Sequence, residues 1–184
     1  MPKRVCVFGS YKSLPGKKQS DILRLGRLLA ERGFEVITGG FGGTMEDISK
    51  GAKEAGGKTI GVTYYKRSDI ANKKANSYID QEIVAKDIFH RIETMIRKSS
   101  AFIVLPGGTG TLLELAACLE CVNKGIITPK PIIALGEFWK DVAERLSGEA
   151  VLSKEARSAF SASSCRDLIT FVNTPEEAIE KIEP

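Results

Sequence analysis

Short apolar runs alternate along this chain with amphipathic stretches, and the alternation predicts strands and helices in turn. The apolar runs are rich in Val, Ile and Phe, which is typical of strands buried on both faces of a parallel sheet. They lie at 4–8, 34–38, 58–63, 101–105, 131–135 and 169–172. Helical patterns occupy 17–32, 43–56, 86–98, 110–124, 137–148 and 174–182, with a short helix near 152–160.

Strand–helix alternation of this kind predicts an α/β domain. Successive units connect through right-handed crossovers, which place helices on both faces of the sheet. We therefore expect a three-layer, doubly wound fold with a mainly parallel sheet, and the 184 residues fit one domain, 1–184, with a single large core. The stretch from Tyr64 to Gln81 is polar and weakly patterned, so we expect a long loop of the kind that borders binding sites.

Charge and hydropathy argue against two classes of partner. The net charge of +4 is dispersed in pairs such as Lys17-Lys18 and Arg97-Lys98, with no basic stripe interleaved with aromatic residues, so we expect no nucleic-acid binding. The longest apolar runs reach about five residues, far short of the roughly 20 that span a bilayer. The N-terminal apolar segment is also too short for a signal peptide. We expect a cytoplasmic protein without membrane association.

The cysteines do not predict a metal site. Cys118 and Cys121 form a C-x-x-C pair, but they lie inside a predicted helix without a second pair or clustered histidines. A zinc site normally needs four ligands at suitable spacings. We interpret these residues as small core side chains in a reducing compartment, and we expect neither a metal nor a cofactor.

Three glycine-bearing turns directly follow predicted strands. They are Gly9-Ser10, Gly39-Gly40-Phe41-Gly42-Gly43 and the run from Pro106 to Thr111. Because ligands of open parallel sheets bind outside the carboxyl ends of the strands, all three turns should open on the same edge of the sheet. This arrangement predicts a nucleotide-like ligand, with a small-molecule nucleotide as the partner of the protein.

The last turn carries the clearest prediction of a phosphate site. Its three glycines let the backbone approach a ligand closely, and a helix that starts just after them directs unpaired N–H groups into the turn. The expected substrate and phosphate contacts lie in the three turns and at the start of the helix after the second: Gly9, Ser10, Gly40, Gly42, Gly43, Thr44, Met45, Pro106, Gly107, Gly108, Thr109, Gly110 and Thr111. Met45 is equally compatible with a core position.

The two best-known phosphate signatures are not matched. The last turn supplies Gly108-x-Gly110, but Leu113 stands where G-x-G-x-x-G needs its third glycine. The segment from Ala52 to Thr59 resembles a P-loop, yet Ala52 replaces the first glycine and the segment leads into a strand instead of a helix. A standard dinucleotide or NTPase site is therefore disfavoured.

Glu114 lies one helical turn beyond the predicted phosphate site, and it has two interpretations. A carboxylate contributes nothing to gripping a phosphate, so its position suggests chemistry at the edge of the pocket. Alternatively, Thr111-Leu112-Leu113-Glu114 is a capping box, in which Thr111 caps the helix and Glu114 bonds back to it. The local sequence leaves both interpretations open.

The run Pro106-Gly107-Gly108-x-Gly110-Thr111-x-x-Glu114 resembles the signature of the LOG ("Lonely guy") phosphoribohydrolases, whose members have often been labelled lysine decarboxylases. The first two glycine turns are similar to the nucleotide turns of that family, and the resemblance covers about residues 3–63 and 86–136. It implies a Rossmann-like homodimer that hydrolyses the N-glycosidic bond of nucleoside 5′-monophosphates. AMP and cytokinin riboside monophosphates are the usual substrates, and free base and ribose 5-phosphate are the products.

The resemblance also implies a catalytic pair. Counting back from Pro106, the family's arginine falls on Arg91, and its glutamate is Glu114. Our hypothesis is that Glu114 stabilises the oxocarbenium-like transition state and orients the attacking water. Arg91 would hold the phosphate or the ribose through charge-assisted hydrogen bonds. The local pattern also allows a solvated helix face that Arg91 shares with Glu93, Arg97 and Lys98.

Two departures from the family pattern concern the base. The family's arginine is usually followed by lysine, where this chain has Ile92, and the stretch from Asn76 to Phe89 is unlike that of cytokinin-activating members. The alternative function is a non-hydrolytic nucleotide or molybdenum-cofactor carrier of the same superfamily. A third alternative, a protein of the DNA-processing type, shares the middle glycine turn but requires a concentrated basic surface.

Overall fold

The computed structural model of the protein describes residues 3–65, 74–148 and 152–182. Within these ranges the strands are β1 (Arg4–Phe8), β2 (Glu35–Thr38), β3 (Thr59–Tyr64), β4 (Gln81–Ala85), β5 (Ala101–Val104), β6 (Ile132–Leu135) and β7 (Thr170–Val172). The helices are α1 (Lys17–Glu31), α2 (Thr44–Glu54), α3 (Ile88–Lys98), α4 (Thr109–Asn123), α5 (Lys140–Ser147), α6 (Lys154–Phe160) and α7 (Pro175–Ile182).

The strands form one sheet in the order β4-β3-β2-β1-β5-β6-β7, and every neighbouring pair is parallel. From β1, the chain adds β2, β3 and β4 one after another on one side of β1. It then places β5 on the other side of β1 and adds β6 and β7 beyond it. The winding direction therefore reverses between β1 and β5. The crevice at the carboxyl ends of these two strands is where doubly wound sheets bind their ligands.

Helices cover both faces of the sheet, as β1 illustrates. Cys6 and Phe8 point into the core cluster that contains residues of α3 and α4. Val5 and Val7 point the other way, into the cluster built with α1, α2 and α7. All four side chains are buried, because successive residues of a strand face opposite sides of the sheet. The predicted three-layer α/β fold with a mainly parallel sheet is confirmed.

Strand β4 is the main difference from the expected elements. The sequence pattern predicts a loop as far as Gln81 and a helix from 86, whereas residues 81–85 extend along β3 in parallel register. This strand lies at the edge of the sheet and leaves Gln81, Glu82 and Val84 exposed, so its sequence lacks the continuous apolar run of a central strand. Much of the predicted loop, residues 66–73, lies outside the described ranges.

Candidate active site

The three glycine turns meet at one cleft of about 320 Å³ at the carboxyl edge of the sheet. Its walls come from the β1–α1 turn, the β2–α2 turn, the start of α4, and the side chains of α3 that face them. The lining residues are Gly9, Ser10, Tyr11, Phe41, Met45, Tyr64, Ile88, Arg91, Gly108, Thr109, Gly110, Thr111 and Glu114. The expectation that the three turns open on the same edge of the sheet is therefore confirmed.

One end of the cleft is the amino terminus of α4. The helix begins at Thr109 with Gly108 as its N-cap, and no side chain caps it. The first N–H groups of a helix have no partner within the helix and carry its positive dipole end. Gly108, Thr109 and Gly110 are also exposed to the cleft. This end can therefore accept an anion such as a phosphate.

The geometry of α4 decides between the two interpretations of Glu114. Thr111 is the third residue of the helix instead of its cap, and its hydroxyl donates a hydrogen bond of 2.9 Å to the Gly9 carbonyl. The Glu114 carboxylate accepts a hydrogen bond from Arg91 and makes none to the start of the helix. The capping-box alternative is wrong, because the helix begins two residues before Thr111.

Arg91 and Glu114 form a buried ion pair at the floor of the cleft. Nη1 of Arg91 lies 2.9 Å from Oε1 of Glu114, and both side chains are more than nine-tenths buried. A second hydrogen bond, from Nε of Arg91 to the Val62 carbonyl of β3, measures 2.7 Å and fixes the direction of the guanidinium. The alternative of a solvated helix face is therefore wrong for Arg91.

Two residues of the middle glycine turn shape the space around Arg91. The Phe41 ring centroid lies 5.9 Å from the guanidinium carbon, within the range of a cation–π contact. On the other side, a Cβ atom on Gly39 would lie far closer to Nη2 of Arg91 than the 3.0 Å that real Cβ atoms keep. Gly39 is therefore required for the guanidinium to pass beneath the turn.

Burial makes the Glu114 carboxyl unusually basic. The pKa of Glu114 rises from its ordinary value of 4.5 to about 7, because burial disfavours the charged form more than the Arg91 charge favours it. A carboxyl with this pKa exchanges a proton near neutral pH. Such groups are the ones that act as acids and bases in catalysis.

Several predicted contact residues lie behind the cleft and hold its turns in place. The backbone N–H of Ser10 donates to Oγ1 of the buried Thr44 at 2.7 Å, and the backbone N–H of Thr44 donates back to the Ser10 carbonyl at 3.0 Å. Gly43, with φ of +69°, abuts the backbone of Tyr11 and Lys12. The predicted residues that do not line the cleft are Gly40, Gly42, Gly43, Thr44, Pro106 and Gly107.

The aromatic part of the cleft is not predicted by any of the sequence patterns described above. Tyr11, Phe41 and Tyr64 line it, together with Ile88. Phe41 is the one large side chain among four glycines at 39–43, and Tyr11 directly follows the Gly9-Ser10 pair. The contrast between Phe41 and its glycine neighbours is a signal that could have identified it. Asn76 was also missed: its Nδ2 donates to the Phe41 carbonyl at 2.9 Å and so braces the middle turn.

The cysteines lie away from the cleft lining and form no disulfide. Cys118 packs in the core cluster that also holds Cys6, and burial raises the pKa of both thiols. The interpretation of Cys118 as a core side chain is confirmed.

In the ranges 3–65, 74–148 and 152–182, no group of three or more His, Cys, Asp or Glu residues could hold a metal ion. Across the same ranges, no helix is long and apolar enough to cross a membrane.

Several known proteins are similar to this chain in sequence or in fold. A family model described as "Possible lysine decarboxylase" matches residues 45–182. The "Probable cytokinin riboside 5'-monophosphate phosphoribohydrolase LOGL2" of Oryza sativa subsp. japonica is 30% identical over 186 residues, which cover 98% of this chain and 72% of that protein.

Two solved structures have the same fold over nearly the whole chain. The X-ray structure of TM1055 is 26% identical, with a TM-score of 0.74 and 98% of each chain covered. The molybdenum cofactor binding protein of Rippkaea orientalis is 25% identical, with a TM-score of 0.72, and the match covers 98% of this chain and 94% of that one. On the family match and the identity over almost its full length, this chain belongs to the LOG family, whose model bears the lysine decarboxylase description.

Proposed function

We propose that this protein hydrolyses the N-glycosidic bond of a nucleoside 5′-monophosphate and releases the free base and ribose 5-phosphate. The observation that carries the proposal is the buried Arg91–Glu114 pair in the same cleft as the open amino terminus of α4. A phosphate carrier needs the helix terminus but has no use for a buried carboxylate. The name of the LOGL2 relative supports the same reaction class.

The spacing along α4 suits a ribose 5-phosphate. Thr109 and Glu114 are five residues apart, about 7.5 Å along the helix axis at 1.5 Å per residue, which is comparable to the length of the sugar phosphate. A phosphate on the N–H groups of Thr109 to Thr111 therefore leaves the anomeric carbon near the Glu114 carboxylate. The remote phosphate grip then orients the bond that reacts.

Glu114 supplies the charge that the reaction needs. As the bond from the anomeric carbon to the base breaks, its electron pair leaves with the base and positive charge builds on the ribose. The ionised carboxylate stabilises this charge and orients a water molecule, which attacks the anomeric carbon and gives a proton to Glu114. Glu114 then loses this proton to the solvent, and the departing base takes up a proton from the solvent, so that the neutral base and ribose 5-phosphate are formed. The raised pKa of about 7 makes this carboxylate a better proton acceptor than an exposed one.

Arg91 positions the carboxylate and contributes a fixed positive charge. Its bonds to Val62 and Glu114 hold the guanidinium against the floor of the cleft, where it borders the site of the ribose. Ile92, at the position of the family lysine, is buried in the core beside α4 and does not line the cleft. The departure from the family pattern therefore lies outside the proposed phosphate and ribose sites.

A carrier function is the second candidate, because the solved structure of a molybdenum cofactor binding protein has this fold at 25% identity. One assay separates the two. Purified protein is incubated with AMP, GMP, CMP and UMP and with the matching unphosphorylated nucleosides, and free base is measured by chromatography. The proposal expects base release from monophosphates and little from nucleosides. Binding of the monophosphates without base release would support the carrier.

We also infer that two copies of the chain associate through α3 and α4. An apolar groove of about 330 Å³ runs along these helices, and it is bordered by Phe89 and Ile126, which are 70% and 56% exposed. Glu93 and Arg97 border the same groove and pair with each other at 2.8 Å within one chain, so their charges neutralise each other on this surface. A two-fold axis places the surface against the same surface of a second copy. A second copy is therefore the occupant that fits.

A further inference from the structure

A second cavity, of about 300 Å³, lies next to the candidate active site on the carboxyl edge of the sheet. Pro106 belongs to its wall, whereas Gly108 of the same turn lines the active-site cleft, so the turn after β5 separates the two spaces. The other walls come from the start of α1, the segment between β6 and α5, and Asn173 directly after β7. We call this cavity the β6 pocket. Among the residues that the structure describes, none lines both the β6 pocket and the cleft.

The β6 pocket has the position and the composition of a ligand site. It lies at the carboxyl ends of β5, β6 and β7, the edge at which open parallel sheets bind ligands. Leu14, Ile22, Leu105 and Leu135 give it apolar walls, and Phe138 adds an aromatic ring that is 56% exposed. Small-molecule sites are typically apolar cavities of this kind with a few polar groups.

Hydrogen bonds hold the segment that carries Phe138. Nε1 of the buried Trp139 donates to the Leu105 carbonyl at 2.9 Å, and the Gly136 N–H donates to the Val172 carbonyl at 2.7 Å. The Trp139 ring also packs edge-on against Phe138, with 4.9 Å between the ring centroids. The aromatic side of the pocket is therefore formed before a ligand arrives, which lowers the entropy cost of binding.

The charged residues of the β6 pocket favour an anion. Lys17 and Lys18 are exposed in the first turn of α1, which contains no acidic residue, and neither forms an ion pair within the described part of the chain. Glu137 is neutralised by Lys140, whose Nζ lies 2.8 Å from its carboxylate. Asp21 is the remaining acid of the lining. Two unpaired lysines against one unpaired acid leave one net positive charge, which matches a monoanion.

Asn173 adds a hydrogen-bond donor to the same pocket. Its backbone N–H donates to Oε2 of Glu177 at 2.8 Å. Its side-chain amide is exposed and makes no hydrogen bond to another described residue. An amide NH₂ group donates to a carboxylate oxygen without adding charge.

We propose that the β6 pocket is a second binding site, and that its ligand is a small carboxylic acid with an aromatic or other apolar body. The carboxylate meets Lys17, Lys18 and the Asn173 amide, while the body packs against Phe138 and the leucines. A phosphate monoester, with a charge of about −1.5 to −2 at neutral pH, matches the single net charge less well. The site shares no lining residue with the cleft, so it does not depend on the proposed hydrolysis.

The test uses 3-phenylpropanoate as the probe and follows the amide signals of ¹⁵N-labelled protein by NMR. Signals of Lys18, Gly136, Phe138 and Asn173 should shift and saturate with a dissociation constant of about 1 mM, as is usual for so small a ligand. Two further ligands separate the charge from the ring: 3-phenylpropanamide has the same body without the charge, and propanoate has the charge without the ring. Each should bind more weakly than 3-phenylpropanoate.

Variants locate the charge contact. Lys17→Gln combined with Lys18→Gln should weaken 3-phenylpropanoate about fivefold, the size of effect expected for exposed charge contacts, and should leave 3-phenylpropanamide unchanged. Lys154→Gln is the matched control, because Lys154 is an exposed lysine in the first turn of α6 and does not line the pocket. Phe138→Ala should weaken the acid and the amide alike.

Four results would overturn the β6 pocket as a carboxylate site. They are the absence of shifts at millimolar probe, shifts confined to Gly108, Thr109 and Gly110 of the cleft, equal affinities for the acid and the amide, and an affinity for the acid that the double lysine variant leaves unchanged. These measurements involve neither a nucleotide nor turnover. Failure of the β6 pocket therefore leaves the proposed hydrolysis standing, and failure of the hydrolysis leaves the pocket standing.

Discussion

Gly39 and Arg91 are separated by 52 positions in the chain, yet the guanidinium of Arg91 occupies the space where a side chain of residue 39 would begin. The middle glycine turn therefore makes room for the arginine that pairs with Glu114. This relationship gives the glycine a steric role in the site that is separate from any contact with phosphate.

We expect Gly39→Ala to lower kcat/KM about 100-fold. The new methyl group would displace Nη2 of Arg91 and would also lie 2.7 Å from Sδ of Met45. A shift of about 1 Å in a catalytic group costs about two orders of magnitude in rate. Gly148→Ala is the control, because a Cβ there meets nothing closer than 3.7 Å among the residues that the structure describes. Equal rates for the two variants would show that Arg91 adjusts without loss.

Glu114→Gln should reduce kcat about 1,000-fold and leave the dissociation constant for AMP within a few fold of the wild-type value. The amide keeps the size of the side chain and a hydrogen bond to Arg91 but removes the charge and the proton acceptor, which are worth 10²–10⁴-fold in general acid–base catalysis. The matched control is Glu120→Gln, on the exposed side of the same helix. Full turnover by Glu114→Gln would end the catalytic assignment.

We expect the rate of base release to depend on the ionisation state of the Glu114 carboxyl group. Because burial raises the pKa of this carboxyl to about 7, kcat/KM should increase as the pH rises through about 7 and level off above it. The steady-state pH profile of base release measures this directly. A profile that is already flat at pH 5 would mean that Glu114 ionises as an ordinary carboxyl or takes no part in the rate.

The same pKa makes a prediction about folding. The pKa of Glu114 is higher in the folded protein than the ordinary 4.5, so the folded state binds the proton more tightly. This stabilisation is complete below pH 4.5 and is lost as the pH rises through about 7, a change of about 3 kcal/mol at 1.36 kcal/mol per pH unit.

Glu114→Gln does not titrate, so its free energy of unfolding should gain about 3 kcal/mol relative to the wild type between pH 4 and pH 8. Urea unfolding at several pH values measures the difference, and the other titrating groups cancel between the two proteins. A difference that does not change with pH would contradict the raised pKa.

The α3–α4 groove predicts the oligomeric state. Phe89→Glu places a charge on the most exposed apolar side chain of the groove and should convert a dimer into a monomer in sedimentation velocity. Phe138→Glu introduces the same charge at an exposed phenylalanine away from this groove and should leave the dimer intact. A wild-type protein that sediments as a monomer at all concentrations would rule out association through this surface.

Much of the fold can be predicted from local sequence patterns. Central strands such as β1 and β5 are buried on both faces, so they appear as continuous apolar runs. Glycine turns that directly follow parallel strands lie together at the carboxyl edge of the sheet because the connectivity of parallel strands leaves no other arrangement. Strand β4 is not visible in this way, since an edge strand is defined by its pairing with β3 and not by its own composition.

The chemistry of the site depends on contacts between distant residues. Thr111 and Glu114 have the spacing of a capping box, and only the fold shows that they bond instead to Gly9 and Arg91. Without the tertiary structure, the exposure of Tyr11 and its support by Gly43 are equally invisible.

The sequence by itself determined the helices, the strands other than β4, the edge of the sheet at which the three glycine turns open, and, through a family signature, Arg91 and Glu114 as the proposed catalytic pair. These features depend on periodicity, glycine conformation and short motifs, all of which are properties of neighbouring residues. Only the tertiary structure decided that the two side chains are buried together, that burial raises the pKa of Glu114, and that Tyr11 and Phe41 line the same cleft. Burial and pairing arise when segments far apart in the chain exclude water from the same space, and no local pattern records that.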